Sequence, residues 1–129
     1  MSRSDFIWVN FDHNFTAAAP TVTKTFLVHG YPFDTGYLLI QARDVEHGSH
    51  QISINNKQLP AFDIPPDSNN QWQTWMDRIP PDYLHTGQNI ITINRTSRDD
   101  FLIANVAIHW RERTTVAVLT EPLVLTPTG

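Results

Sequence analysis

With 129 residues the chain is long enough to bury a core of its own as one domain, residues 1–129, without a metal or disulfide staple. It has no cysteine, which excludes thiol nucleophiles, disulfides and thiolate zinc sites, and its net charge of −4 with scattered Lys and Arg leaves no basic stripe for a nucleic acid. No apolar run approaches the ~20 residues of a membrane span, and no export-type segment precedes Asp5-Phe6-Ile7-Trp8, so the expectation is a cytoplasmic protein with neither membrane nor nucleic acid as a partner.

In chain order, residues 6–11 (FIWVNF) read as a short strand closed by Asp12-His13-Asn14, and residues 16–20 as a loop. From Thr21 the chain alternates, with Val22, Phe26 and Val28 on one side, until Gly30-Tyr31-Pro32 interrupts it. Residues 37–45 begin as a nearly continuous apolar run, the pattern of a central strand. Residues 46–49 then form a turn, and its length makes an antiparallel hairpin to residues 50–54 the natural connection, with Ile52 and Ile54 facing the core. The turn-rich stretch 55–70, with Pro60, Pro65 and Pro66, reads as a long surface excursion.

Residues 72–79 suit a half-buried pleated surface, and Pro80-Pro81, lacking two backbone donors, must end that strand. A turn bearing Tyr83 and His85 follows, and then a strand placing Ile91 and Ile93 on one face. After a polar turn at 96–100, Leu102, Ala104, Val106, Ile108 and Trp110 are expected on one face, and residues 115–119 as a last strand. Trp8 and Trp110 are expected in the core. Leu123-Val124-Leu125 is apolar for a terminus and either packs back on the sheet or meets another chain.

About eight short strands separated by Pro, Gly and Asn turns, with no sustained helical period, predict an all-β fold: an antiparallel two-sheet jelly-roll sandwich. The path from the tryptophan-bearing strand through Ile79-Pro80 and Leu84 to Gly87-x-Asn89-x-Ile91-x-Ile93 resembles the galactose-binding-domain-like jelly-roll sandwiches. Ile52-x-Ile54-Asn55-Asn56-x-x-Leu59 and Val106-x-Ile108-x-Trp110 are similar to two further strands of that family, so the resemblance covers roughly residues 37–112. It implies a non-catalytic recognition module, most often for carbohydrate. It also allows a structural calcium ion, to which no residue here is matched, and implies no other cofactor.

Three constellations bear on that implication. Asp44, Glu46, His47 and His50 could ligate a divalent cation, yet they follow neither a helical histidine pair nor a calcium-loop pattern, and a hairpin tip is polar anyway. Asp99-Asp100 cannot be a glycosidase pair, because neighbours in sequence point apart, and no serine sits in a strand–turn–helix elbow. Sugar binding needs an aromatic plane with planar polar groups around it. Trp72, Trp75, Tyr83 and His85 border the long excursion, with Arg98 and Asp99 on a neighbouring loop, and these six are the candidate ligand-binding residues. Only one of Trp72 and Trp75 can face outward on a regular strand. The other reading is an assembly subunit that docks on a protein partner or on copies of itself through its edge strands and the Leu123-Val124-Leu125 tail.

Overall fold

The computed structural model describes residues 2–45, 50–60, 72–96 and 100–113. Among them are eight strands: β1 (Ser2–Phe15), β2 (Thr21–Val28), β3 (Tyr31–Arg43), β4 (His50–Ile54), β5 (Lys57–Gln58), β6 (Trp72–Ile79), β7 (Gly87–Arg95) and β8 (Phe101–Arg113). They form two antiparallel four-stranded sheets, one in the order β1-β8-β3-β6 and the other β2-β7-β4-β5. This is the all-β sandwich that the turn spacing predicts. The expected strand at 115–119, the Leu123-Val124-Leu125 tail, Glu46, His47, Arg98 and Asp99 lie outside the described residues.

The inward faces meet in one core. The first sheet contributes Val9, Phe11, Leu38, Ile40, Val106 and Ile108 among others, and the second contributes Phe26, Val28, Ile52, Ile54, Ile91 and Ile93. At one end Phe15 and Phe101, directly opposite in the β1–β8 register, stack at 4.6 Å with rings 4° apart, and His50 meets the Phe101 ring edge-on at 4.0 Å. At the other end Trp110 donates its indole N–H to Oε1 of the buried Glu112 at 2.8 Å, and Arg3 closes on Oε2 at 2.7 Å. A carboxylate without water needs such partners.

Three expectations are corrected. β3 and β4 do not pair as a hairpin but lie in opposite sheets, which sets Leu38, Ile40 and Ala42 across the core from Ile52 and Ile54 and so buries both sets. β8 does not keep one phase. Its pairing with β3 slips between Val106 and Ile103, so the inward set changes from Trp110, Ile108 and Val106 to Ile103 and Phe101, leaving Leu102 and Ala104 half-buried on the other side. An extra residue at such a bulge flips every side chain beyond it. Trp8 is not in the core but 60% exposed, because Val9, Phe11 and Phe15 claim the odd positions of β1 for the interior and an even position must then point outward.

The strands pack closely where β3 slips against β8 between Phe33 and Tyr37. A Cβ on Gly36 would lie 2.6 Å from the backbone carbonyl oxygen of His109, and one on Gly30 would strike the Glu112 carboxyl group. Backbone cannot yield as a flexible side chain can. Gly36→Ala is therefore expected to lower the unfolding free energy by about 1–3 kcal/mol, as overpacked sites do, read as a reduced urea midpoint at unchanged slope. A midpoint equal to wild type would show that the two strands are less tightly apposed than described.

Candidate functional site

The outer face of the β1-β8-β3-β6 sheet is built by simple alternation. Even positions of β1, odd positions of β3 and, in the stretch 107–113, odd positions of β8 point away from the core, and so do Trp72, Thr74, Met76 and Arg78 of β6. The register then sets rows across the four strands. Phe6 lies opposite His109, His109 opposite Tyr37, and Tyr37 opposite Arg78; in the next row Trp8, Ala107, Leu39 and Met76 follow one another. Phe6 and the His109 ring stack at 5.3 Å with planes 19° apart. Ala107, the smallest side chain of its row, lies between Trp8 and Leu39 and is covered.

The outcome is an open aromatic surface. Phe6, Trp8, Tyr37, Trp72 and Met76 are each between 46% and 60% exposed, and all five project from this face. Single exposed apolar side chains need no explanation, but several gathered on one sheet face mark a contact surface. Tyr37, Leu39, Met76, His109 and Arg111 line a shallow groove of about 380 Å³ in it. Near the far corner Trp72 pairs with Arg43 across the β3–β6 ladder, and a further opening of about 300 Å³ runs over Gln41, Thr74 and Ala104.

The other sheet's outer face has a different character. Thr21 donates its hydroxyl to Asn94 at 2.6 Å and Thr23 meets Thr92 at 3.3 Å, with Gln51 and Ser53 beside them. Polar residues dominate there, with Leu27 and Ile90 exposed toward one end. The two outer faces thus differ in chemistry although both lie on antiparallel sheets of four strands.

Of the six residues expected to bind ligand four are described, and the structure separates them. Trp72 stands on the aromatic face, half exposed, whereas Trp75, on the opposite side of β6, turns inward and packs against the core. Tyr83 and His85 lie elsewhere, in a polar knot at the β4–β5 turn. Asn55 adopts φ 52°, its Nδ2 donates to the Tyr83 carbonyl at 2.7 Å and to Asn89 Oδ1 at 2.8 Å, and its Oδ1 accepts the Ile90 N–H at 2.9 Å. The fully buried Asn89 accepts the His85 N–H at 3.0 Å and donates back to the His85 carbonyl at 2.8 Å. The Tyr83 hydroxyl donates to the Gln58 carbonyl at 2.8 Å. These contacts tie the β4–β5 turn to the loop entering β7, a structural task.

Of the residues weighed for a cation, His50 is buried against Phe101, and Asp44 follows β3 with φ 65°. Among the described residues no three His, Asp or Glu side chains converge. Phe6, Trp8, Tyr37 and Met76 are the surface residues missed in the sequence. The signal was present: in residues 2–15 the odd positions Ile7, Val9, Phe11 and Phe15 share one phase, which leaves Phe6 and Trp8 for solvent.

The knot generates a stability test. Asn55→Ala strips the Tyr83 carbonyl and the Ile90 N–H of their Asn55 partner and leaves alanine, which lacks the local hydrogen bonds that let asparagine hold a positive φ, so a loss of about 2–4 kcal/mol is expected, whereas Tyr83→Phe removes one hydrogen bond and should cost ~1 kcal/mol. Urea unfolding measures both, and an Asn55→Ala variant as stable as wild type would remove the knot from the fold's supports.

No helix among the described residues is long and apolar enough to cross a membrane. No curated protein matches the chain in sequence. Twenty solved chains match it; one, in the crystal structure of dimeric latent PorU from Porphyromonas gingivalis, superposes with a TM-score of 0.58 at 13% identity over 86% of this chain. The chain spans 13% of that PorU chain, and the likeness is one of fold. A family model matches residues 4–112, and on that extent the chain belongs to the family of unknown function DUF7383.

Proposed function

We propose that the protein is a non-catalytic recognition module that binds carbohydrate on the outer face of the β1-β8-β3-β6 sheet. One observation carries the reading: Phe6, Trp8, Tyr37, Trp72 and Met76 all project from a single sheet face and are about half exposed. Aromatic planes suit the apolar faces of pyranose rings, and His109, Gln41 and Asn10, which share the face, offer planar donors and acceptors for hydroxyls. The galactose-binding-domain-like sandwiches that residues 37–112 resemble include sugar-binding modules, which supports the same reading. In this assignment Trp72 keeps its expected role, while Trp75, Tyr83 and His85 support the scaffold.

A second reading is favoured by a different observation. β1 is fourteen residues long, is an edge strand of its sheet among the described residues, and carries Phe6 and Trp8 beside a backbone edge that pairs with no described strand. Long apolar edge strands pair with other chains unless blunted, so an assembly subunit would use this strand. The readings separate on a glycan array with and without calcium, together with size-exclusion chromatography and light scattering. The carbohydrate reading expects a positive array and a monomer. A blank array with a stable dimer would replace it with assembly.

The site itself is tested by substitution. Trp8→Ala and Trp72→Ala are expected to weaken glycan binding at least tenfold while shifting Tm by no more than a few degrees, since each side chain is half in water already. Trp75→Ala should do the reverse, lowering stability by about 2–4 kcal/mol as truncated large apolar residues do. Unchanged binding in both exposed-tryptophan variants would move the site off this face.

A further inference from the structure

Arginine predominates among the exposed charges of the aromatic sheet. Along β3, β6 and β8 the outward positions carry Arg43, Arg78, His109, Arg111 and Arg113; of the acids of the four strands Asp77 and Glu112 are buried on the inward side and Asp5 is half-buried, while Asp12 and Asp34 are exposed at positive φ beside the register slips of β1 and β3. A chain with a net charge of −4 therefore presents one face whose strands carry arginine. Each of these arginines also stands beside an aromatic ring. Arg43 lies opposite Trp72 and Arg78 opposite Tyr37 across the β3–β6 ladder, and Arg111 and Arg113 lie over the Phe33 ring at 5.7 Å and 4.5 Å from its centre.

We propose that the ligand of this face is an acidic polysaccharide, a polymer of uronic acids, whose ring faces rest on the aromatics and whose carboxylates are held by the arginines. The inference rests on the carbohydrate reading above and adds the charge and length of the ligand. A planar guanidinium presents two parallel N–H donors that match a carboxylate, and its flat side tolerates stacking on an aromatic ring. The pair of Trp72 with Arg43 and the pair of Tyr37 with Arg78 are six residues apart on β6, about 20 Å at strand rise. A single sugar cannot reach both, and each end of the face has its own opening, one over Tyr37, Leu39 and Met76 and one over Gln41, Trp72 and Thr74. An extended chain running along the strands satisfies both pairs at once. Polyphosphate is less suited, because nucleic-acid affinity grows with the number of phosphates neutralised and an acidic chain with a few spaced arginines neutralises few.

The test uses the full chain in affinity electrophoresis or calorimetry against polygalacturonate, its fully methyl-esterified form, neutral dextran and a single-stranded oligonucleotide. Binding to polygalacturonate is expected, at least tenfold weaker to the methyl ester, and weakened at least threefold between 50 and 300 mM salt. R43Q with R78Q should lose at least tenfold on polygalacturonate at unchanged Tm, and W72A should lose binding to every polysaccharide that binds. If the methyl ester or dextran binds as well as polygalacturonate and the double arginine variant is unaffected, the acidic assignment is overturned while the carbohydrate reading stands. If no polysaccharide binds, here or on the array, both fall. Tighter binding to the oligonucleotide than to polygalacturonate overturns the inference in favour of a nucleic-acid platform.

Discussion

A strand can bury only every second side chain, and in this sandwich that constraint decides both the core and the candidate binding surface. The first sheet has apolar residues in both phases. Val9, Phe11, Leu38, Ile40 and Ile108 take the interior, and Phe6, Trp8, Tyr37, Leu39 and Met76 are left on the other side with nothing described to cover them. The second sheet has one apolar phase and one mainly of Thr, Ser, Asn and Gln, so its outer face is an ordinary wetted one. The asymmetry between the two faces is the feature that asks for a function.

Bulges keep the phases compatible over long strands. β1 and β8 run for fourteen and thirteen residues, and a strictly alternating pair of that length would have to keep a single phase from end to end. The slips between Asn10 and His13 on β1 and between Val106 and Ile103 on β8 let both ends bury large side chains, the Phe15–Phe101 stack at one and Trp110 with Glu112 at the other. The same slips leave Ala107, His109 and Arg111 outward in the stretch where Phe6, Trp8 and Tyr37 project. Bulges commonly re-aim side chains next to binding sites, and here they do so while preserving the core.

The motif residues that resemble the galactose-binding-domain-like sandwiches serve the scaffold. Asn55, Asn89 and the turn between them form the hydrogen-bonded knot that secures the β4–β5 turn against β7, and Tyr83 and His85 belong to that knot. A short pattern shared among such sandwiches is therefore, in this chain, a record of how the corner is closed. The exposed aromatic residues lie elsewhere, on the outer face of the opposite sheet, so the proposed site and the corner pattern are separate parts of the molecule.

What the sequence determined by itself was local: strand-forming segments, proline stops, the turns at Asn55-Asn56 and Gly87, and hence an all-β sandwich with Ile52, Ile54, Ile91, Ile93 and Trp110 inside. It also determined that Trp72 and Trp75 oppose one another. Which of the two faces water, that Trp8 is outside, that β3 and β4 occupy different sheets, and that Tyr37 with Arg78 and Trp72 with Arg43 share one surface were decided by the tertiary structure. The physical reason is that period two assigns residues to two faces but does not say which face is buried. That choice is made only when strands distant in the chain meet, and a bulge of one residue reverses it.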